Sequence, residues 1–143
     1  MNGFLGRPRG DGPHPAIIYN LGGHEEYGVL EGWEIVPAVE AGFVAVASQY
    51  RGNAGSEGAE EFGGADVNDV VSLIPLLKQL PYVDPQRIGM MGHSRGGMMT
   101  YLSLKQETLA GAHDIQAAVV VGGVADLFRL VEDQPLLDRK SVV

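Results

Sequence analysis

Four short apolar runs alternate along the chain with longer stretches whose apolar residues recur every three to four positions. The runs are residues 15–20, 43–48, 88–91 and 115–121. Each is almost continuously apolar, the pattern of a strand covered on both faces in a parallel sheet. Residues 29–41 place Val29, Trp33, Val36 and Val39 near helical spacing. Gly42 then suits the left-handed position past a helix end, while Pro37 is expected to kink the segment. A second helix is expected from near Ala65. Its apolar face is Val67, Val70, Val71, Ile74, Leu77 and Leu80, and Pro75 interrupts it. A third helix runs to about Thr108, and a short fourth covers 125–132. Residues 1–14 are rich in Gly, Pro and Arg without periodicity and read as an irregular lead-in, leaving 15–143 as one α/β domain. Strand and helix in alternation predict βαβ units, a parallel sheet and right-handed crossovers. The turns at 20–24, 49–58, 92–96 and 122–126 then share the carboxyl rim of the sheet, where such folds bind ligands.

One of these turns carries chemistry. Gly92-His93-Ser94-Arg95-Gly96 follows an apolar run and precedes a helical one. In that context Gly-x-Ser-x-Gly reads as the nucleophile elbow of an α/β-hydrolase, a tight strand-to-helix bend that lifts a serine hydroxyl above the sheet. Gly92 and Gly96 are required because a side chain at either place would collide across the bend. Gly97 lets the helix approach the next strand. Met90, Met91, Met98 and Met99 flank the bend as core filler.

Composition narrows the field. The 143 residues are 45% hydrophobic, enough for one globular domain with a core. A formal charge of −8 argues against a nucleic-acid partner, which needs a basic face. The chain has no Cys, hence neither disulfides nor thiolate metal sites. No apolar run reaches the ~18 residues of a membrane span, and the first residues lack the apolar segment of a signal peptide. A cytoplasmic protein without cofactor or metal is the expectation.

Tyr50-Arg51-Gly52, Asp84-Pro85-x-Arg87-Ile88 and Gly92-His93-Ser94-Arg95-Gly96-Gly97 together resemble the catalytic domain of the prolyl oligopeptidase family. The resemblance spans roughly residues 15–126 and implies an α/β-hydrolase fold, with the four strands as the third to sixth of eight and the first two absent. It implies that Ser94 is the nucleophile. One oxyanion donor would be the N–H of Arg95, and the other would come from Gly22 or Gly23, where the family often has His-Gly-Gly-Pro and this chain has Leu21-Gly22-Gly23-His24. The substrate implied is a peptide or a small acyl compound.

The acid and the base should follow the serine in that order. Only His113 lies beyond Ser94, ahead of a strand and at the opposite rim, so the domain reads as partial and lacking its usual base. Other polar residues have plainer readings. His93 suits a rim or packed side chain, and His24 a solvated loop residue or a substitute base. Asp126 suits a helix N-cap, though it also stands after the fourth strand, where some other α/β-hydrolases place their acid. Arg51 suits a carboxylate partner that holds the long loop. Asp66 and Asp69 suit helix-start carboxylates rather than metal ligands. Two other functions share these features: a carboxylesterase or dienelactone-hydrolase-like enzyme, and a non-catalytic binding module. A sheet lacking outer strands should also expose edges through which copies could associate.

Overall fold

The computed structural model describes residues 2–23 and 27–133. Five strands form one sheet: β1 (Asn2–Gly6), β2 (His14–Asn20), β3 (Val44–Gln49), β4 (Val83–His93) and β5 (Ile115–Val121), in the order β1-β3-β2-β4-β5. All neighbours are parallel except β1, which runs antiparallel to β3. The helices are α1 (Val36–Glu40), entered through a 3-10 turn at Gly32–Ile35, α2 (Val67–Val71), α3 (Leu73–Lys78), α4 (Arg95–Leu109) and α5 (Leu127–Asp133).

The chain steps from β2 to β3 in one direction and from β3 back past β2 to β4 in the other. Right-handed crossovers then put α1 on one face of the sheet and α2 to α4 on the opposite one. The packing agrees: α1 lies on β3, whereas α4 lies on β2, β4 and β5 and is itself touched by α2. Every residue of β3 is buried, as are Ala16, Ile18, Ile88 and Met90 of its neighbours and Met98 and Met99 of α4.

Several expectations are corrected. The lead-in is not irregular throughout, because β1 occupies Asn2–Gly6 and pairs residue by residue with β3, from Asn2 opposite Gln49 to Gly6 opposite Ala45. A strand therefore does precede the four expected ones. It was hidden because Gly3 stands where a side chain would overlap the carbonyl oxygen of Ala47. Closeness to β3, rather than an apolar alternation, selects that residue. Pro37 does not kink α1, whereas the segment expected to be interrupted at Pro75 is indeed broken, at Ser72. Pro37 falls in the first turn of α1 and Pro75 is the third residue of α3, positions whose N–H has no partner within the helix. The single helix expected from Ala65 is two, divided at Ser72.

β4 begins at Val83, opposite His14, and its pairing with β2 resumes only at Ile88 opposite Ala16. The residues between, expected as a turn, are instead extended within β4 and leave a register shift against β2. Asp84 accepts hydrogen bonds there from the Gln86 N–H (3.0 Å) and from Arg87 Nε (2.7 Å). The end of α1 matches expectation closely: Gly42 has φ +94°, its N–H reaches Val39 O (3.0 Å), and the Phe43 N–H reaches Ala38 O (3.0 Å). These two bonds make a Schellman cap.

Candidate functional site

The turns after β2, β3, β4 and β5 converge on one rim of the sheet, and the bend from β4 into α4 stands at its centre. Ser94 occupies that bend with φ 55° and ψ −121°. A non-glycine residue there carries strain of roughly 1–3 kcal/mol, which survives only where the surroundings dictate it. The surroundings do dictate it. The Ser94 N–H donates to Val121 O at 2.9 Å, and the Ser94 carbonyl accepts from the Gly97 N–H at 2.9 Å. A side chain at Gly92 would overlap the Gly96 carbonyl, and one at Gly96 would overlap the carbonyl oxygen of Asn20. At Gly97 the first side-chain carbon would lie 2.6 Å from Gly123 Cα. The three glycines thus let two strands and a helix meet within one backbone thickness. Ser94 itself is half-buried.

Beneath the bend, the buried Asn20 donates from Nδ2 to Thr100 Oγ1 (2.9 Å), and Thr100 Oγ1 donates to Gly96 O (2.9 Å). This chain of two bonds fastens the end of β2 to the first turn of α4. Neither residue was singled out by the sequence, since an isolated Asn and an isolated Thr carry no pattern.

Arg95 departs furthest from expectation. Only its backbone N–H was assigned a part, and as the first residue of α4 that N–H has no partner within the helix. The side chain is 1% exposed. Its guanidinium pairs with Glu60, and with Asp66 Oδ2 at 2.5 Å. It also donates to Gly23 O at 3.2 Å. Two aromatic rings flank it, Tyr50 at 4.6 Å and Phe62 at 4.7 Å. A buried guanidinium needs such partners, because an unpaired charge removed from water costs several kcal/mol. Tyr50 donates its hydroxyl to Leu21 O at 3.1 Å. Burial pushes the Tyr50 phenol far above its ordinary range, so it stays protonated and a donor at any working pH.

Asp66 and Asp69 do stand at the start of α2, but ion pairing is their main contact. Asp66 meets Arg95, while Asp69 takes Arg51 in a fork, with Nε at 3.1 Å and Nη2 at 2.8 Å. Arg51 therefore holds the long loop after β3, as expected. Nearby, a cavity of about 370 Å³ is lined by Arg51, Glu57, Gly58 and Asp69. No three His, Asp or Glu among the described residues cluster as a metal site would require.

Among the described residues, no histidine is seen to assemble a triad with Ser94. His14 begins β2, and His113 precedes β5, so both sit at the far rim. His93 is exposed at the end of β4 and lies against the turn after β2: a side-chain carbon at Gly22 would be 2.9 Å from His93 Nδ1. His24 lies outside the described residues. Asp126 accepts the Arg129 N–H at 3.0 Å and so caps α5, as its position suggested.

A largely parallel sheet whose inner strand turns through a positive-φ serine into a helix defines the α/β-hydrolase class. Residues 29–136 match the prolyl oligopeptidase family, and the chain belongs to it. It is 37% identical over 141 residues to the uncharacterized peptidase YtmA of Bacillus subtilis, covering 97% of this chain and 52% of YtmA. Dipeptidyl-peptidase 5 of Porphyromonas gingivalis is 29% identical over 127 residues, covering 82% of this chain and 17% of that protein. The chain thus spans about half the length of the first relative and less than a fifth of the second. Among solved structures, the esterase of Pyrobaculum calidifontis superposes with a TM-score of 0.71 at 25% identity, over 86% of this chain and 40% of the esterase. The acylaminoacyl peptidase of Pyrococcus horikoshii gives 0.64 at 25% identity, over 86% of this chain and 21% of that one.

Proposed function

We propose that this chain carries the nucleophile and oxyanion site of a serine peptidase of prolyl oligopeptidase type. The observation that carries the reading is the φ of +55° at Ser94, a non-glycine residue held in a strained bend at the sheet's carboxyl rim. Strain of that kind is kept where geometry matters to chemistry. In this reading the bend is a nucleophile elbow. Ser94 Oγ attacks the acyl carbon of a peptide or small acyl substrate, its proton passes to a base, and the amine leaves as the acyl-enzyme forms. The charge on the tetrahedral oxygen falls to the Arg95 N–H and to an N–H of the Gly22–Gly23 loop. Water then releases the acid. No acid or base is assigned to Ser94 among the described residues, and slow turnover is the outcome expected of the chain alone. A cytoplasmic setting belongs to the same reading. Among the described residues, no helix is long and apolar enough to cross a membrane.

An esterase is the second reading, supported by the superposition on the Pyrobaculum enzyme. Matched acyl substrates, an aminoacyl anilide and the corresponding ester, separate the two. A peptidase should cleave both, with each rate lost in Ser94→Ala. Cleavage of the ester alone favours the esterase. Rates equal to those of Ser94→Ala for both substrates favour a non-catalytic module on the same scaffold.

A further inference from the structure

Gly22 and Gly23 have no side chains with which to hold themselves, and glycine loses more conformational freedom on ordering than any other residue. A loop that must present an N–H in one direction therefore needs clamps from outside. Two are present. Tyr50 Oη donates to Leu21 O at 3.1 Å, and the Arg95 guanidinium donates to Gly23 O at 3.2 Å. Each bond fixes a whole peptide plane, because C=O and N–H are rigidly opposed across a trans peptide. The plane joining Leu21 to Gly22 and the plane leaving Gly23 are both held, which confines the peptide between them. Arg95 is in turn held by Asp66 and Glu60 and lies over the Tyr50 ring. The residue after the serine and the residue after β3 thus grip the same loop from one buried cluster.

Resting on the hydrolase reading above, we infer that Tyr50 and Arg95 are positioning residues that hold the Leu21–Gly23 loop in the orientation its oxyanion donor requires. Neither side chain touches the substrate. Their part is to keep the donor in place before the reaction, so that none of the transition-state stabilisation is spent on ordering the loop. The phenol is suited to this role, because burial keeps its proton in place and its ring is wedged beneath the guanidinium.

Tyr50→Phe removes one oxygen and leaves the ring under Arg95. On the whole chain, two readouts are taken together: labelling of Ser94 by a fluorophosphonate as a function of probe concentration, and amide resonances of a uniformly 15N-labelled sample. The expected result is a limiting labelling rate lower by about tenfold, since a misdirected donor costs less than the 10²–10³-fold seen when one is deleted. The half-saturating probe concentration should stay the same. The Gly22 and Gly23 resonances should shift or broaden while those of β5 stay in place. Arg95→Lys, which keeps the charge but loses the planar fork, should disturb Gly23 more than Gly22. Unmoved glycine resonances with an unchanged limiting rate in Tyr50→Phe would overturn the assignment. A parent chain that takes no label would end the hydrolase reading, and the glycine resonances alone would then decide the clamp: moved, it stands; unmoved, it fails.

Discussion

β3 and β5 are written in nearly the same alphabet and live in opposite surroundings. β3 reads Val-Ala-Val-Ala-Ser-Gln and is buried at every position. β5 reads Ile-Gln-Ala-Ala-Val-Val-Val, yet no residue in it is fully buried, and Val119 and Val121 are each 56% exposed. The difference lies in neighbours. β3 is paired on both sides, by β1 and β2, whereas β5 is paired with β4 alone among the described residues. Phe128 of α5 is 87% exposed beside it in sequence. An apolar run therefore predicts that a strand forms but does not predict how well it is covered. The well-covered half of the sheet is also the half that builds the rim cluster around Ser94. The poorly covered strand contributes one bond to that site, from Val121 O to the Ser94 N–H.

If this contrast is real, substitutions should be costly at the rim, moderate in the inner strands and nearly silent on β5. Arg95→Met should be the most damaging, by about 3–5 kcal/mol, because it leaves the buried Asp66 and the part-buried Glu60 carboxylates without their cation. Denaturant unfolding reads this directly. Gly96→Ala comes next, at about 3 kcal/mol, since its methyl group must displace the Asn20 carbonyl against the backbone of β2. The Ser94 bend should be lost along with the stability. Val46→Ala in β3 should cost about 2 kcal/mol, the transfer and cavity cost of a fully buried valine. Val119→Ala in β5 should stay within about 0.5 kcal/mol. Equal losses for these two valines would dissolve the comparison. The smallest effect on stability, but a visible one in solution, is expected from Val121→Lys. An exposed apolar edge invites edge-to-edge pairing, and a lysine there blocks it. Light scattering of the parent should show mass rising with concentration, and the variant should not. A parent that stays monomeric over the whole range would show that this edge does not pair.

How much of this could be read from the sequence depended on whether the cause was local. β5 was legible to the residue, because Ile115 opens and three consecutive valines close a seven-residue run bounded by turn residues on both sides. The Ser94 bend was legible because steric demand puts glycine at fixed offsets. Gly42 was legible for the same reason. β1 was not, since its identity as a strand comes from β3, more than forty residues away in the chain. Pro37 misled because a proline forbids a helix interior but suits a helix start, and only the true boundary tells the two apart. The side chain of Arg95 was the largest omission. Its partners, Glu60 and Asp66, lie 35 and 29 residues upstream, and neither spacing has a period. A charged residue next to the serine carried no signal that it would be buried, because charged side chains are seldom buried unless the fold supplies their partners.

Covalent capture decides whether the strained serine between β4 and α4 is a nucleophile. The whole chain and its Ser94→Ala variant would be incubated with a fluorophosphonate, and the adduct located by peptide mass mapping. One adduct is expected, on Ser94, formed on the order of 10⁴-fold more slowly than in a protein with a complete triad and absent from the variant. Equal labelling of the two proteins, or an adduct on another residue, would contradict the nucleophile role.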